Sequence, residues 1–104
     1  MRDPIDARTL LAGLTGSLIH TLSGQPNRVL RVERDQVIVA TSRSPLGRPV
    51  PIAWVQDALD LIVRDDEVAI NVQTIGYRSA FVGAVLATLP GATVTLRPAS
   101  VRIR

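Results

Sequence analysis

The chain has 104 residues, with twelve basic and nine acidic side chains and no cysteine. This length suits one domain with a single core, and the missing thiols exclude disulfides, thiolate nucleophiles and thiolate metal sites. All twelve basic residues are arginine, which also excludes P-loop and Schiff-base lysines. Either a G+C-rich genome or a preference for guanidinium groups, which suit phosphates and base edges, explains the arginine bias.

The N-terminal residues predict a short helix and then an ambiguous segment. Asp3 is a capping acid, Pro4 suits a first helical turn, and Asp6 adds a second acid that favours the helix dipole. Leucines at helical spacing follow until a Thr-Gly pair, residues 15–16, ends the pattern. Residues 17–22 then fit either more helix or a short strand.

A β-hairpin and a basic loop come next. The turn-rich residues 23–27 precede two apolar stretches, 28–33 and 36–41, and the short polar link between them is typical of a hairpin. Residues 41–50 contain two prolines, one glycine and two arginines. We therefore predict a loop without regular structure there.

Apolar spacing predicts two more helices in the second half. Pro51 opens the clearest one, which carries an apolar stripe on one face and ends near Arg64. Residues 68–73 alternate between apolar and polar side chains and predict a half-buried strand. The next helix follows residues 76–79 and stops at a Pro-Gly pair, residues 90–91.

Two alternating stretches, residues 93–97 and 101–104, end the chain as strands separated by Pro98. The element order is typical of a single α+β domain over residues 1–104, with three helices and short antiparallel strands. The succession of helices and strands with a late hairpin also permits a winged-helix-like arrangement. Neither a leader nor an apolar run of about 20 residues is present, so we expect a cytoplasmic protein that does not enter membranes.

The sequence offers little for catalysis. His20 is the only histidine, so no histidine pair can bind zinc and any serine nucleophile would depend on this one ring. The acidic residues 65–67 lie at a turn where solvated carboxylates are common, and Asp57 and Asp60 are one helical turn apart on a surface. We therefore expect no enzyme, no cofactor and no metal site.

Three arginines are placed where phosphate contacts are usually made. Arg43 and Arg48 fall in the basic loop and Arg78 at a helix start, with Ser44 and Ser79 nearby. Side chains and backbone N–H groups at such places bind phosphate oxygens, so these five residues are candidate phosphate contacts. The alternative is a set of ordinary solvated loop arginines.

Only three residues are aromatic: Trp54, Tyr77 and Phe81. Trp54 lies beside the apolar stripe of its helix, and Phe81 is better explained as a core residue than as a functional one, so both fit a packing role. Tyr77 stands between a glycine and Arg78. It is therefore the best candidate for an exposed ring.

Three stretches carry a resemblance to a known domain family. They are QPNRVL (residues 25–30), TSRSPLGRPVPIAWVQDAL (residues 41–59) and GYRSAFVGAVLATLPG (residues 76–91). They resemble a small domain of high-G+C bacteria that occurs alone or fused to HNH-type nucleases and binds DNA containing 5-methylcytosine. The similarity covers roughly residues 10 to 95.

The resemblance implies a non-catalytic recognition module of modification-dependent restriction, with double-stranded DNA as its partner and any cleavage left to a nuclease partner. Such a module senses the methyl group in the major groove or encloses a flipped base in an aromatic pocket. In the second case Arg43, Arg48 and Arg78 would hold the phosphates. Trp54 and Tyr77 would supply the rings of the pocket, and Phe81 or Ala80 would contact the methyl group. Asp57, Gln56 or Ser79 would bind the polar edge of the base.

Two other functions stay open. A protein–protein adaptor without DNA affinity would dock through the small-residue helix face of Gly83, Ala84 and Ala87. A small enzyme centred on His20 and nearby acids is the third hypothesis.

Overall fold

The computed structural model describes residues 3–76 and 78–103. Within these ranges the chain forms four helices and seven strands. The strands make two antiparallel sheets, one of four strands and one of three. The predicted α+β class is therefore confirmed, with four helices where three were predicted.

The first helix, α1, spans Ala7–Leu14 and is capped by Asp6. The Asp6 carboxylate accepts hydrogen bonds from the backbone N and the hydroxyl of Thr9 at 2.8 and 2.7 Å. These bonds satisfy donors that a first helical turn leaves free. The capping acid is therefore not Asp3, as predicted, but the acid three residues later.

Four strands follow: β1 (Leu18–His20), β2 (Pro26–Glu33), β3 (Gln36–Ala40) and β4 (Arg48–Pro51). They lie side by side in chain order, with β2 and β3 forming the predicted hairpin. The ambiguous segment thus contains a strand. β4 was predicted as loop, because prolines cannot donate ladder hydrogen bonds, but proline is tolerated in β4 because it is an edge strand.

Helix α2 spans Ile52–Asp65 and begins directly after β4. Its buried stripe is the predicted one and consists of Ile52, Val55, Ala58, Leu59 and Ile62. The helix ends at Asp66, which adopts a left-handed conformation with φ 65° and donates its N–H to the Ile62 carbonyl at 2.8 Å.

The second half of the chain adds β5 (Glu67–Ala69), α3 (Val72–Ile75), α4 (Ser79–Ala87), β6 (Thr93–Leu96) and β7 (Ala99–Arg102). Its strands pair in the order β5-β7-β6. The predicted strand over residues 68–73 is wrong beyond Ala69, because the Asn71 carboxamide accepts a hydrogen bond from Thr74 N at 2.7 Å and starts α3. From α2 onward the order is helix, strand, two helices and hairpin, so α3 is an addition to the winged-helix-like order that the sequence permits.

Helix α4 is buried on nearly all sides. All six residues from Phe81 to Leu86 are buried, because α2, β1 and β7 pack around them. Such a helix is apolar all round instead of amphipathic. A helix that reads the DNA major groove needs an exposed face, so α4 is not placed to act as a recognition helix.

One cluster of buried apolar side chains joins both sheets to α2 and α4. It includes Val29 and Val39 of the first sheet, Leu59 of α2, Val85 of α4 and Val101 of the second sheet. Over residues 3–76 and 78–103, no helix is long and apolar enough to cross a membrane.

Candidate nucleic-acid interface

A short, internally bonded loop carries Arg43 between β3 and β4. Thr41 and Ser44 close it: each donates its backbone N–H to the other's carbonyl, at 3.2 and 3.1 Å, and Ser44 N also donates to Thr41 Oγ1 at 3.1 Å. Gly47 ends the loop with φ +98°, and a Cβ there would lie 2.6 Å from Ile38 Cγ2. Glycine is required at this position, and the loop holds Arg43 on a fixed support.

Arg78 stands at the N-terminus of α4 in a left-handed conformation with φ 67°. Its carbonyl accepts a hydrogen bond from Val82 N at 3.0 Å, which fixes the backbone at this point. Burial lowers the pKa of the Arg78 guanidinium, and the nearby positive charge of Arg48 lowers that pKa further. Two cations from distant parts of the sequence therefore share one region.

A tight turn between β1 and β2 faces these arginines. Thr21 N donates to the Gln25 carbonyl at 2.9 Å, Gly24 N donates to the Thr21 carbonyl at 2.9 Å, and Gln25 N donates to Thr21 Oγ1 at 3.0 Å. Thr21 is buried, as is Asn27 at the start of β2. The turn is thus a second rigid support, opposite in character to a mobile loop.

The loop, the turn and the start of α4 surround a cavity of about 460 Å³. Ligand pockets typically measure about 300–1,000 Å³. The described residues that line it are mainly polar, with two arginines and one ring, and none is acidic: Thr21, Ser23, Gln25, Pro26, Asn27, Thr41, Ser42, Arg43, Arg78, Ala80 and Phe81. We call this space the arginine cavity.

The arginines at this cavity differ from three other arginines of the chain that lie beside carboxylates. Within the described ranges, Arg43, Arg48 and Arg78 form no ion pair. Three arginines elsewhere are paired with carboxylates, in Arg31–Glu33, Arg64–Asp65 and Arg102–Glu67 at 2.7, 2.8 and 3.2 Å. The arginine cavity therefore has positive charge that no described side chain neutralises.

The fold brings one group of predicted site residues together. Arg43, Arg78 and Phe81 line the arginine cavity, and Arg48 lies near enough to Arg78 to affect its pKa. Ser44 closes the loop that carries Arg43. These five residues were predicted as site residues because they lie in a loop or at the start of a helix, or belong to the few aromatic residues of the chain. The sequence did not show that they lie close together.

Other predicted residues lie elsewhere. Trp54, Gln56 and Asp57 are on α2 and do not line the arginine cavity. Ser79 lines a neighbouring cavity instead. Tyr77 lies outside the described residues.

Gln56 already has partners within the fold. Its Oε1 accepts a hydrogen bond from Ala7 N at 2.8 Å, and its Nε2 donates to the Ile5 carbonyl at 2.8 Å and to Asp60 Oδ1 at 3.0 Å. These bonds attach the start of α1 to α2. The predicted role of Gln56 at a base edge would compete with all three.

A second cavity of about 330 Å³ adjoins the first and shares Thr21, Ser23 and Ala80 with it. The rest of its lining is mainly apolar: Leu22, Ile70, Ser79, Leu96 and Ala99. The surface therefore changes from cationic and polar to apolar across one shared wall.

The small-residue face of α4 packs within the domain. Gly83 and Ala84 are buried, and a Cβ added to Gly83 would lie 2.8 Å from Ile70 Cγ2 and 3.2 Å from Leu22 Cδ1. Most of the face that the sequence offered to a protein partner is thus covered by the chain itself.

The residues considered for catalysis are not gathered into a site. His20 is exposed on β1. Asp65, Asp66 and Glu67 line a shallow pocket together with Arg102, and the described part of the chain holds no group of three His, Cys, Asp or Glu side chains suited to a metal ion.

Asn27 and Thr21 line the arginine cavity but were not predicted as site residues. The pattern of β2 contains a signal for Asn27, because Pro26 and Arg28 point outward while Asn27 and Val29 occupy the buried face. A polar residue on the buried face of a strand needs a hydrogen-bonding partner. Thr21 gives no comparable signal, since it lies in a turn-rich stretch.

Comparison of the chain with protein-family models, with curated proteins and with solved structures finds no match. The arginine cavity is a candidate site on its geometry and charge alone.

Proposed function

We propose that this chain binds double-stranded DNA containing 5-methylcytosine and contacts it at the arginine cavity. The supporting observation is that Arg43, Arg48 and Arg78 have no carboxylate partner in the described structure and stand beside a polar cavity. A polyanion would neutralise them. The protein recognises DNA without acting on it, and any cleavage is done by a nuclease partner.

Arg43, Arg48 and Arg78 contact phosphates in this proposal. Guanidinium groups bind phosphate oxygens through two parallel hydrogen bonds, and clustered cations without acidic neighbours attract a polyanion over a distance. The hydroxyls of Ser44 and Ser79 lie in the same loop and helix start as these arginines and are further candidate contacts.

The methylated base occupies the arginine cavity after rotating out of the helix. Base flipping costs a few kcal/mol of lost stacking and pairing, which contacts in a pocket must offset. Phe81 supplies an apolar wall and Ala80 stands between the polar and the apolar cavity, where a methyl group avoids water. The resemblance to a 5-methylcytosine-binding domain supports this choice of base.

The first test is binding to two duplexes of identical sequence, with and without 5-methylcytosine, at two salt concentrations. We expect tighter binding to the methylated duplex and weaker binding of both at higher salt. Arg48→Ala should weaken both duplexes alike and lower the slope of log K against log salt by about 0.9, the value for one phosphate contact on duplex DNA.

Arg31→Ala is the matched control, because it removes the same charge from an arginine that is paired with Glu33. It should leave the salt slope unchanged. Equal affinity for the two duplexes would contradict the methylcytosine part of the proposal. Absence of salt-dependent binding to either duplex would overturn the whole proposal.

A further inference from the structure

Asn27 is a buried residue whose side chain has no hydrogen-bonding partner among the described residues. The residue is 5% exposed and lines the arginine cavity. Its backbone pairs with Ile19 of β1, but within residues 3–76 and 78–103 its carboxamide makes no hydrogen bond. Every fully inaccessible side-chain nitrogen or oxygen in those ranges has a hydrogen-bond partner. Because the Asn27 carboxamide has none, it is partly accessible, and it opens onto the cavity that the residue lines.

Three hydroxyl groups of the cavity wall, those of Thr21, Ser23 and Thr41, already have bonds within the protein. Thr21 Oγ1 accepts from Gln25 N and lies 3.2 Å from Ser23 Oγ, and Thr41 Oγ1 accepts from Ser44 N. Most buried side-chain polar groups have a hydrogen-bond partner in the protein or in water, and the Asn27 carboxamide opens onto the cavity, where a ligand can supply one. Asn27 thus differs from these three hydroxyl groups, whose bonds are made within the protein.

We propose that Asn27 binds the Watson–Crick edge of the single base held in the arginine cavity. A carboxamide has a donor and an acceptor side by side. Cytosine has the complementary pair on that edge, the ring nitrogen N3 as acceptor and the N4 amino group as donor, and 5-methylation leaves both free. The inference rests on the proposed function, because the base must come from DNA.

In this arrangement the arginines contact phosphates and Asn27 contacts the base. Arg43 and Arg78 at the cavity are donors only, so they suit the phosphates and cannot recognise the amino group of a base. Asn27, deeper in the wall and held by the β1–β2 ladder, contributes the acceptor that the arginines lack. Asn27 therefore determines base specificity, and the arginines determine overall affinity.

Asn27→Leu tests this role, because leucine has a similar size but no hydrogen-bonding groups. We expect at least about a tenfold loss of affinity for the methylated duplex, as for loss of a bidentate base contact. The melting temperature should stay about equal, since the substitution removes no hydrogen bond within the described part of the protein. Asn71→Ala, which removes the cap of α3, should show the reverse: a lower melting temperature with unchanged affinity.

Two DNA probes locate the effect. A duplex with 2-aminopurine next to the 5-methylcytosine should increase in fluorescence with the natural protein, as stacking is lost, and much less with Asn27→Leu. A duplex with an abasic site in place of the 5-methylcytosine should be bound equally by both proteins, because the base that Asn27 contacts is gone.

The two proposals fail in different ways. If the natural protein binds neither duplex, the DNA-binding proposal is overturned. If it binds the methylated duplex but Asn27→Leu binds equally well, or the fluorescence does not rise, the role of Asn27 is overturned while DNA binding stands. A lowered melting temperature for Asn27→Leu would assign Asn27 to the fold instead.

Discussion

The arginine cavity and the acidic turn, defined as residues 65–67 with Arg64 and Arg102, use the same cation in different ways. In the acidic turn both arginines form ion pairs, with Asp65 and Glu67. At the arginine cavity no described carboxylate is present. The comparison teaches that an arginine-only composition does not by itself identify a candidate binding surface, whereas clustered arginines without described acidic partners beside a polar cavity indicate where to test for one.

The difference is also one of energy. An exposed ion pair contributes at most about 1 kcal/mol to stability, because both groups were well solvated before they met. Several cations held together without counter-charges raise the local potential instead, and an incoming anion relieves it. Substitutions at the arginine cavity should therefore change DNA affinity, whereas substitutions in the acidic turn should change mainly the stability of the fold.

The largest expected effect is on DNA affinity. The test variant carries Arg43→Glu and Arg78→Glu at the arginine cavity. The control variant carries Arg64→Glu and Arg102→Glu in the acidic turn and changes the net charge by the same amount. The first pair should weaken duplex binding by about a hundredfold or more at low salt, since each charge-assisted hydrogen bond is worth about 1.5–3 kcal/mol. The second pair should weaken it only a few-fold through long-range charge.

Fluorescence anisotropy with a labelled duplex at fixed salt measures both variants, and circular dichroism verifies that each is folded. Equal losses in the two pairs would mean that only net charge matters. The distinction between paired and unpaired arginines would then have no bearing on function.

The next largest effect is on the stability of the fold. It concerns Gln56, a neutral side chain whose hydrogen-bonding groups all have partners. Gln56→Ala should lower the free energy of unfolding by about 1–3 kcal/mol, because it leaves the Ala7 N–H and the Ile5 carbonyl without their partner. Chemical denaturation measures this loss, with exposed Gln73→Ala as the control. A lost methylcytosine preference at unchanged stability would instead place Gln56 at the base.

A smaller effect is expected within the acidic turn. Glu67→Gln removes the ion pair with Arg102 but keeps an acceptor for the Ser100 hydroxyl, which donates to Glu67 at 3.2 Å. Stability should fall by at most about 1 kcal/mol, and duplex affinity should be unchanged. Thermal unfolding and the anisotropy assay measure the two quantities, and a marked change in affinity would extend the DNA contact to the acidic turn.

The smallest effect concerns pH. Hydrogen bonds from the Thr9 hydroxyl and backbone N–H lower the pKa of Asp6, with a weaker contribution from the charge of Arg8. Because the folded-state pKa lies below the unfolded one, the carboxylate stabilises the fold above the unfolded pKa, and this contribution is lost as pH falls through the folded pKa. Asp6→Asn should flatten the acid side of the stability profile slightly, and an unchanged profile would contradict this cap.

Much of the fold could be predicted from sequence because local chemistry determines it. The hairpin of β2 and β3 follows from two apolar runs joined by a polar turn, and α2 follows from its stripe. The predictions that were wrong fall where one local pattern is compatible with two structures. Asn71 supplied a helix cap inside an alternating run, and the prolines of β4 were compatible with an edge strand.

The candidate site was only partly predictable because it is assembled from distant segments. Arg43, Arg78 and Phe81 were identified by residue type, and only the fold shows that they share a cavity. Asn27 carried a signal in the alternation of β2. Its significance depends on the missing partner, which no sequence pattern reveals.

Gly83 of α4 connects the buried core to the second, mainly apolar cavity. The two side chains closest to its missing Cβ, Ile70 and Leu22, also line the apolar cavity. A methyl group at position 83 would lie 2.8 Å from Ile70 Cγ2 and 3.2 Å from Leu22 Cδ1, so both side chains would have to shift. Variation at one buried glycine of α4 would therefore change the shape of a cavity whose lining it does not itself join.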